Sequence, residues 1–276
     1  MKKLDRLGWT DGIAIRSYGV KVGIRVNDSN ALERIKTLLP PGWKPATSPV
    51  VERLFSVLIG GGAKRPNMRR YSLLYGGLEQ LVRTFDDEQI YATLESNLRL
   101  RVAEAARRRL FVHAGAVGWK GQAIIIPGRS FSGKTTLVAE MIRAGATYYS
   151  DEYAVLDAKG RVHPFLKPLS IRENGTQDQT EYSVEDLGGK AGRKPLPVAI
   201  VVISEYKKGA LWRPVELSAG RGALELLAHS ISARNQPGVA LSTLHRVASR
   251  ATVLKSKRGE ASQVVDSILK RLNEDG

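Results

Sequence analysis

Between Ala14 and Val26 apolar and polar side chains take turns along Ala14-Ile15-Arg16-Ser17-Tyr18-Gly19-Val20-Lys21-Val22-Gly23-Ile24-Arg25-Val26. A period of two predicts a half-exposed antiparallel strand or hairpin. Asp28-Ser29-Asn30 offers a helix cap before the apolar spacing of 31–39, and Pro40-Pro41-Gly42 stops that helix. Val51 to Ile59 and Arg70 to Tyr75 read as strands around a loop at 60–67. From Asp86-Asp87-Glu88 onward the period lengthens, and Leu94, Leu98, Leu100, Val102 and Ala105 predict a long helix over 90–109. Arg107-Arg108-Arg109 would then sit at the negative end of its dipole. Residues 1–109 thus read as a small N-terminal α+β domain.

After residue 110 strands and helices alternate. Phe111 to Val117 and Gln122 to Ile126 are short apolar runs joined by Gly118-Trp119-Lys120-Gly121, hence paired strands. Leu137 to Arg143 has helical spacing and Gly145 ends it. Thr147 to Ser150 reads as a strand. Tyr153 to Leu156 and Arg161 to Phe165 flank a turn at Asp157-Ala158-Lys159-Gly160, and Leu169 to Arg172 is another short strand. Residues 173–196 are polar and predict a long loop. Val198 to Ile203 is a buried strand, followed by helices near 219–231 and 238–248, a strand at 251–255 and an amphipathic helix at 261–272. The alternation predicts an α/β domain over 110–276.

Composition narrows the class. In 276 residues, 42% are hydrophobic and 25% charged, which is globular composition. No apolar run approaches the ~20 residues of a membrane span, and no signal-type segment follows Met1, so a cytoplasmic protein without membrane attachment is expected. There are no cysteines, which excludes disulfides and thiolate metal sites. The net charge of +16 favours anionic partners. It is spread along the chain, with 20 Lys and Arg against 11 Asp and Glu in residues 1–110 and 23 against 16 in the rest. With no zinc-finger spacing and no basic stripe interleaved with aromatics, nucleic acid is disfavoured as partner.

The chemistry concentrates in Ala123-Ile124-Ile125-Ile126-Pro127-Gly128-Arg129-Ser130-Phe131-Ser132-Gly133-Lys134-Thr135-Thr136. An apolar run enters a G-x-x-x-x-G-K-T turn, and a helical pattern leaves it, the context a phosphate-binding loop requires. Loop N–H groups converge on an anion, and the helix directs its positive end at the same point. Gly128 and Gly133 permit the backbone, Ser130 and Ser132 line the turn, Lys134 reaches the β- and γ-phosphates, and Thr135, with Thr136 as weaker neighbour, ligates Mg²⁺. ATP and Mg²⁺ are the cofactors this predicts. Asp151-Glu152 falls 17 positions after Lys134, at the end of the next strand. One carboxylate there can hold Mg²⁺ while the other orients or deprotonates a nucleophile. His113 lies between apolar neighbours, and is either a proton-carrying group near the phosphate or a hydrogen-bonded core residue.

The stretch from Val112-His113-Ala114-Gly115, through Gly128 to Thr136, to Tyr149-Ser150-Asp151-Glu152-Tyr153 resembles the catalytic domain of HPr kinase/phosphorylase and its relatives, serine kinases with a phosphoenolpyruvate-carboxykinase-like core. The order His113, Lys134, Thr135, Asp151, Glu152 matches the family's. The resemblance covers roughly residues 110–256 and is specific over 112–153. It implies a P-loop kinase domain of that type, Asp151 as the base taking the acceptor hydroxyl's proton, and Lys134 and His113 beside the transferred phosphate. Thr135 and Glu152 would hold Mg²⁺, with Asp151 a further candidate ligand. Glu152 stands where the family commonly has Asp. Leu169 to Gly175, with Arg172, only faintly echoes the family's Glu-x-Arg-Gly segment, and its second signature run is not recognisable. Relatives lacking that run include kinase-like proteins of modified-peptide biosynthesis, so the implied acceptor is a serine of a peptide or protein, a precursor peptide included. A P-loop ATPase and a non-catalytic nucleotide-binding partner stand as alternatives, and a homo-oligomer is compatible with the sequence.

Overall fold

The computed structural model describes residues 4–61, 70–130, 132–172 and 179–274. It is a mixed α/β structure with several sheets and six α-helices among the described residues, divided into two compact units, Met1–Ala106 and Arg107–Gly276.

In the first unit, β1 (Asp11–Ser17) and β2 (Val20–Val26) form an antiparallel hairpin. Its two-residue turn places both Tyr18 (φ 47°) and Gly19 (φ 88°) in the left-handed region, which matches the twist of the flanking strands. α1 (Ser29–Thr37) starts where the Asp28 carboxylate accepts the Asn30 N–H at 2.9 Å. It crosses over to β4 (Arg53–Gly61), parallel to β2, with β3 (Lys44–Pro45) on the far edge against β1. β5 (Tyr71–Gly76) and β6 (Glu79–Thr84) complete an antiparallel meander, giving the order β3-β1-β2-β4-β5-β6. Of the loop expected at 60–67, residues 62–67 lie outside the described residues.

Two expectations need correcting here. Strand β6 was not foreseen; with only Leu81 and Val82 apolar, it is a half-buried edge specified by its hairpin partner. α2 spans Asp87–Ala105, capped by the Asp86 carboxylate on the Glu88 N–H, and buries Ile90, Tyr91, Leu94, Leu98 and Val102. It stops before the arginine run. Ala106 is already extended (ψ 115°), leaving Arg107, Arg108 and Arg109 beyond the helix as the chain turns into the buried start of the next strand.

In the second unit, β7 (Leu110–Trp119) is the long central strand. It pairs antiparallel with β8 (Gln122–Pro127) through a two-residue turn, Lys120 (φ 47°) and Gly121 (φ 82°), shorter than the four-residue connection expected. α3 (Lys134–Arg143) follows, then β9 (Thr147–Ser150) and β10 (Tyr153–Leu156), which line the other edge of β7 end to end. β11 (Arg161–His163) turns back on β10. β12 (Leu169–Arg172) pairs with β13 (Gln179–Tyr182), and β14 (Lys190–Ala191) lies parallel to β9. The described part of 173–196 is therefore not one long loop. Its strands are polar and held by backbone pairing, so no apolar period announces them.

β15 (Leu196–Tyr206) runs parallel to β8 and to β17 (Thr252–Arg258), and β16 (Val215–Glu216) edges β17. β15 also meets β11, so the pairings run in a closed circuit β7-β8-β15-β11-β10. One face, with Val117, Ile124, Ile126, Ile200, Val202 and Leu254, packs on α3 and α6 (Val265–Glu274). The other, with Val112, Ala114, Ile125, Val201 and Val253, packs on α4 (Ala219–Ala228) and α5 (Pro237–Ala248). Alternate residues of β8 thus serve opposite layers, which is why its apolar run is unbroken.

Candidate functional site

The strands β8, β9, β15 and β17 all point their C-terminal ends to one edge of the sheet, and the loop at 128–133 lies on that edge. Gly133, with φ 81°, is the N-cap of α3 and leaves the helix start without a side-chain cap. The first N–H groups of α3 have no intrahelical acceptor, so they and the helix dipole face the loop. Gly128 is equally constrained, since a Cβ there would lie 2.6 Å from Ser132 Oγ. α3 is drawn close to the sheet by a third glycine, where a Cβ on Gly115 would meet Val138 Cγ2 at 2.5 Å.

Lys134 is only 7% exposed, and its ammonium donates to the Arg129 carbonyl at 2.7 Å, folded back over the loop. Burial pushes this lysine down to about 8, although the charge of Asp151 works to raise it. Ser132 is half-buried, and its Oγ is buried without a hydrogen-bond partner among the described residues. Thr135 is half-buried, while Ser130 and Thr136 are exposed.

Asp151, at the end of β9, is buried. The Tyr148 hydroxyl lies 3.3 Å from Asp151 Oδ1 and 2.8 Å from the Lys167 carbonyl. Burial raises the Asp151 carboxyl above its ordinary range, opposed by the charge of Lys167 and by hydrogen bonds from the Ser170 backbone and Tyr148. Glu152, half-buried, opens the return into β10, and the Ser150 hydroxyl accepts its N–H at 3.1 Å.

His113 pairs with Tyr153 across β7 and β10, and its carbonyl accepts the Gly128 N–H at 3.3 Å, so it stands at the entrance to the loop. Burial, then the charges of Lys134 and His229, push its imidazole down to about 4. His113, Lys134 and Asp151 are thereby brought within electrostatic reach of one another around the loop.

On the opposite flank a cavity of about 660 Å³ opens between the loop (Gly128, Arg129, Ser132), the ends of β15 and β17 (Glu205, Lys257) and His229. His229 caps α4, and burial and the charge of Lys134 lower its imidazole. Arg258 is 1% exposed and donates Nη2–H to the Gly133 carbonyl at 2.8 Å. Neither His229 nor Arg258 was singled out from sequence, because each reaches the loop through long-range strand and helix packing that leaves no local pattern.

The loop and acidic pair offer one hydroxyl (Thr135) and two carboxylates (Asp151, Glu152) as oxygen donors, a set suited to a hard cation. Among the described residues no group of three or more His, Asp or Glu side chains could hold a metal ion. No helix among the described residues is long and apolar enough to cross a membrane. Neither protein-family models nor curated proteins give a match to this chain.

Proposed function

We propose that this protein is an ATP-dependent serine kinase of the HPr-kinase type, transferring the γ-phosphate to the hydroxyl of a peptide or protein, with a precursor peptide as the acceptor class the sequence resemblance implies. The observation that carries the reading is the pairing of an uncapped helix start behind left-handed Gly133 with the buried Lys134 ammonium and, one strand away, the buried Asp151. The polyphosphate would lie against the α3 N-terminus, with Lys134 exchanging the Arg129 carbonyl for phosphate oxygens. Thr135 and Glu152 would hold Mg²⁺, which when bound neutralises charge on the phosphates.

The acceptor hydroxyl gives its proton to the Asp151 carboxylate as its oxygen bonds to the γ-phosphorus, and the bond to the bridging oxygen breaks to release ADP. His113, at the loop entrance, would hydrogen-bond the transferred group. The acidic pair occupies the β9 flank and the large cavity the β15–β17 flank, so acceptor and nucleoside would approach from separate sides.

Incubation with labelled ATP, with and without serine-containing peptides, separates this reading from its alternatives. Labelled phosphopeptide is expected. Free phosphate alone would make the protein an ATPase, and tight binding without turnover would make it a nucleotide-binding partner.

A further inference from the structure

Arg258, the last residue of β17, is buried at 1% exposure with no carboxylate in salt-bridge distance among the described residues. Its guanidinium donates to two carbonyls, Nη1 to Gly259 at 2.9 Å and Nη2 to Gly133 at 2.8 Å, while Nε is buried without a partner. The Tyr206 ring lies 5.8 Å from it, and the Tyr206 hydroxyl donates to Glu260 instead, at 2.9 Å. A buried cation is costly unless an opposite charge compensates it, and buried arginines of purely structural role are ordinarily paired. Here both hydrogen-bond acceptors are neutral, the Glu260 carboxylate acts on the guanidinium only from beyond salt-bridge distance, and one acceptor is the carbonyl of the residue that starts the loop helix. The fit is tight from the other side as well, because a Cβ on Gly133 would lie 2.5 Å from Nη2.

We propose that Arg258 is a positioning residue of the phosphate site, fixing Gly133 in its left-handed conformation and keeping a permanent positive charge behind the loop for an anionic polyphosphate chain. The inference rests on the kinase reading only in requiring that the loop bind polyphosphate. Arginine suits the task better than lysine, since its planar fork reaches two carbonyls at once and its charge is permanent.

The test is equilibrium binding of MgATP and of inorganic tripolyphosphate to the full chain, wild type, Arg258→Met and Arg258→Lys, with thermal unfolding measured alongside. Removing a buried positive charge from behind a bound polyphosphate weakens affinity by about tenfold, the size expected of one unit charge acting across a protein interior. Arg258→Met is therefore expected to raise both dissociation constants by about tenfold without lowering the unfolding temperature in proportion. Arg258→Lys, which keeps the charge and loses the fork, should fall between it and wild type. In turnover the loss should appear in KM for ATP more than in kcat. Unchanged affinity in a folded Arg258→Met variant overturns the proposal. If that variant does not fold, unchanged affinity in Arg258→Lys does so. Wild-type protein that binds neither polyphosphate would instead overturn the kinase reading beneath it.

Discussion

At the scale of single residues, the site is built from charges the fold has partly taken out of water. Lys134 is the clearest case, since its lowered value near 8 means that the folded chain disfavours the ammonium until an anion meets it. Lys134→Met should raise the MgATP dissociation constant by roughly 10–100-fold, the worth of a charged hydrogen bond. The unfolding temperature of the nucleotide-free protein should hold or rise. A folded variant that binds MgATP as wild type does would remove the loop lysine from the site. Asp151→Asn should leave MgATP binding nearly intact and cut turnover by at least ~10²-fold, the lower range for loss of a general base. If binding disappears instead, Asp151 serves the metal and not the proton. His113 makes a prediction about pH. Between its ordinary value of 6.5 and about 4, the unfolded chain takes up a proton that the folded chain refuses. The stability it contributes is thus complete above pH 6.5 and is lost as pH falls toward 4. Unfolding temperatures of wild type and His113→Gln across that window should converge at low pH relative to their difference at pH 7, and parallel profiles would contradict the assignment.

At the scale of elements, what could be read from sequence was what is locally specified. The turn from β8 into α3 carries its own instructions, with glycines at 128 and 133 and helical spacing from Leu137, and it lies where that pattern puts it. The caps at Asp28 and Asp86 are likewise local. Strands β6, β13 and β14 were illegible because their side chains are mostly polar and their partners, rather than their own periodicity, make them strands. The end of α2 was misjudged for a related reason: Arg107 to Arg109 are acceptable helix formers, and only the demand of β7 for the following residues stops the helix at Ala105. His113 and Asp151 could be named as candidates, but His229 and Arg258 come to the loop from elements joined to it only in three dimensions. The seating of α3 on β7 offers a test at this scale. Gly115→Ala forces a methyl toward Val138 and should cost roughly 1–3 kcal/mol, as overpacking does. Gly220→Ala in α4, where no atom lies within 4 Å of the added Cβ, should stabilise by up to ~1 kcal/mol. Denaturant midpoints of the two variants moving in the same direction would refute the close approach.

At the scale of the whole molecule, the +16 charge is a property of the entire chain and not of a tail. If it recruits an acidic acceptor, the acceptor's KM should climb steeply from low to moderate salt while that for MgATP, held by amides and buried charge, changes less. Exposed charges more than about 8 Å apart are largely screened at physiological ionic strength. Equal salt slopes for the two KM values would leave the charge with no role in acceptor capture. The hydrogen bond from Arg258 to Gly133 also sets an order of events during synthesis. It joins residues 125 apart in sequence. At about 5–20 residues per second, roughly 6–25 s separate translation of the glycine from that of its arginine. Throughout that interval the nascent loop lacks a complete β17, and for its first half it lacks a complete β15 as well, so the site proposed for nucleotide is assembled only after Arg258 has emerged. Ribosome-bound chains halted before Thr252 should accordingly bind MgATP far more weakly than chains halted well past Arg258.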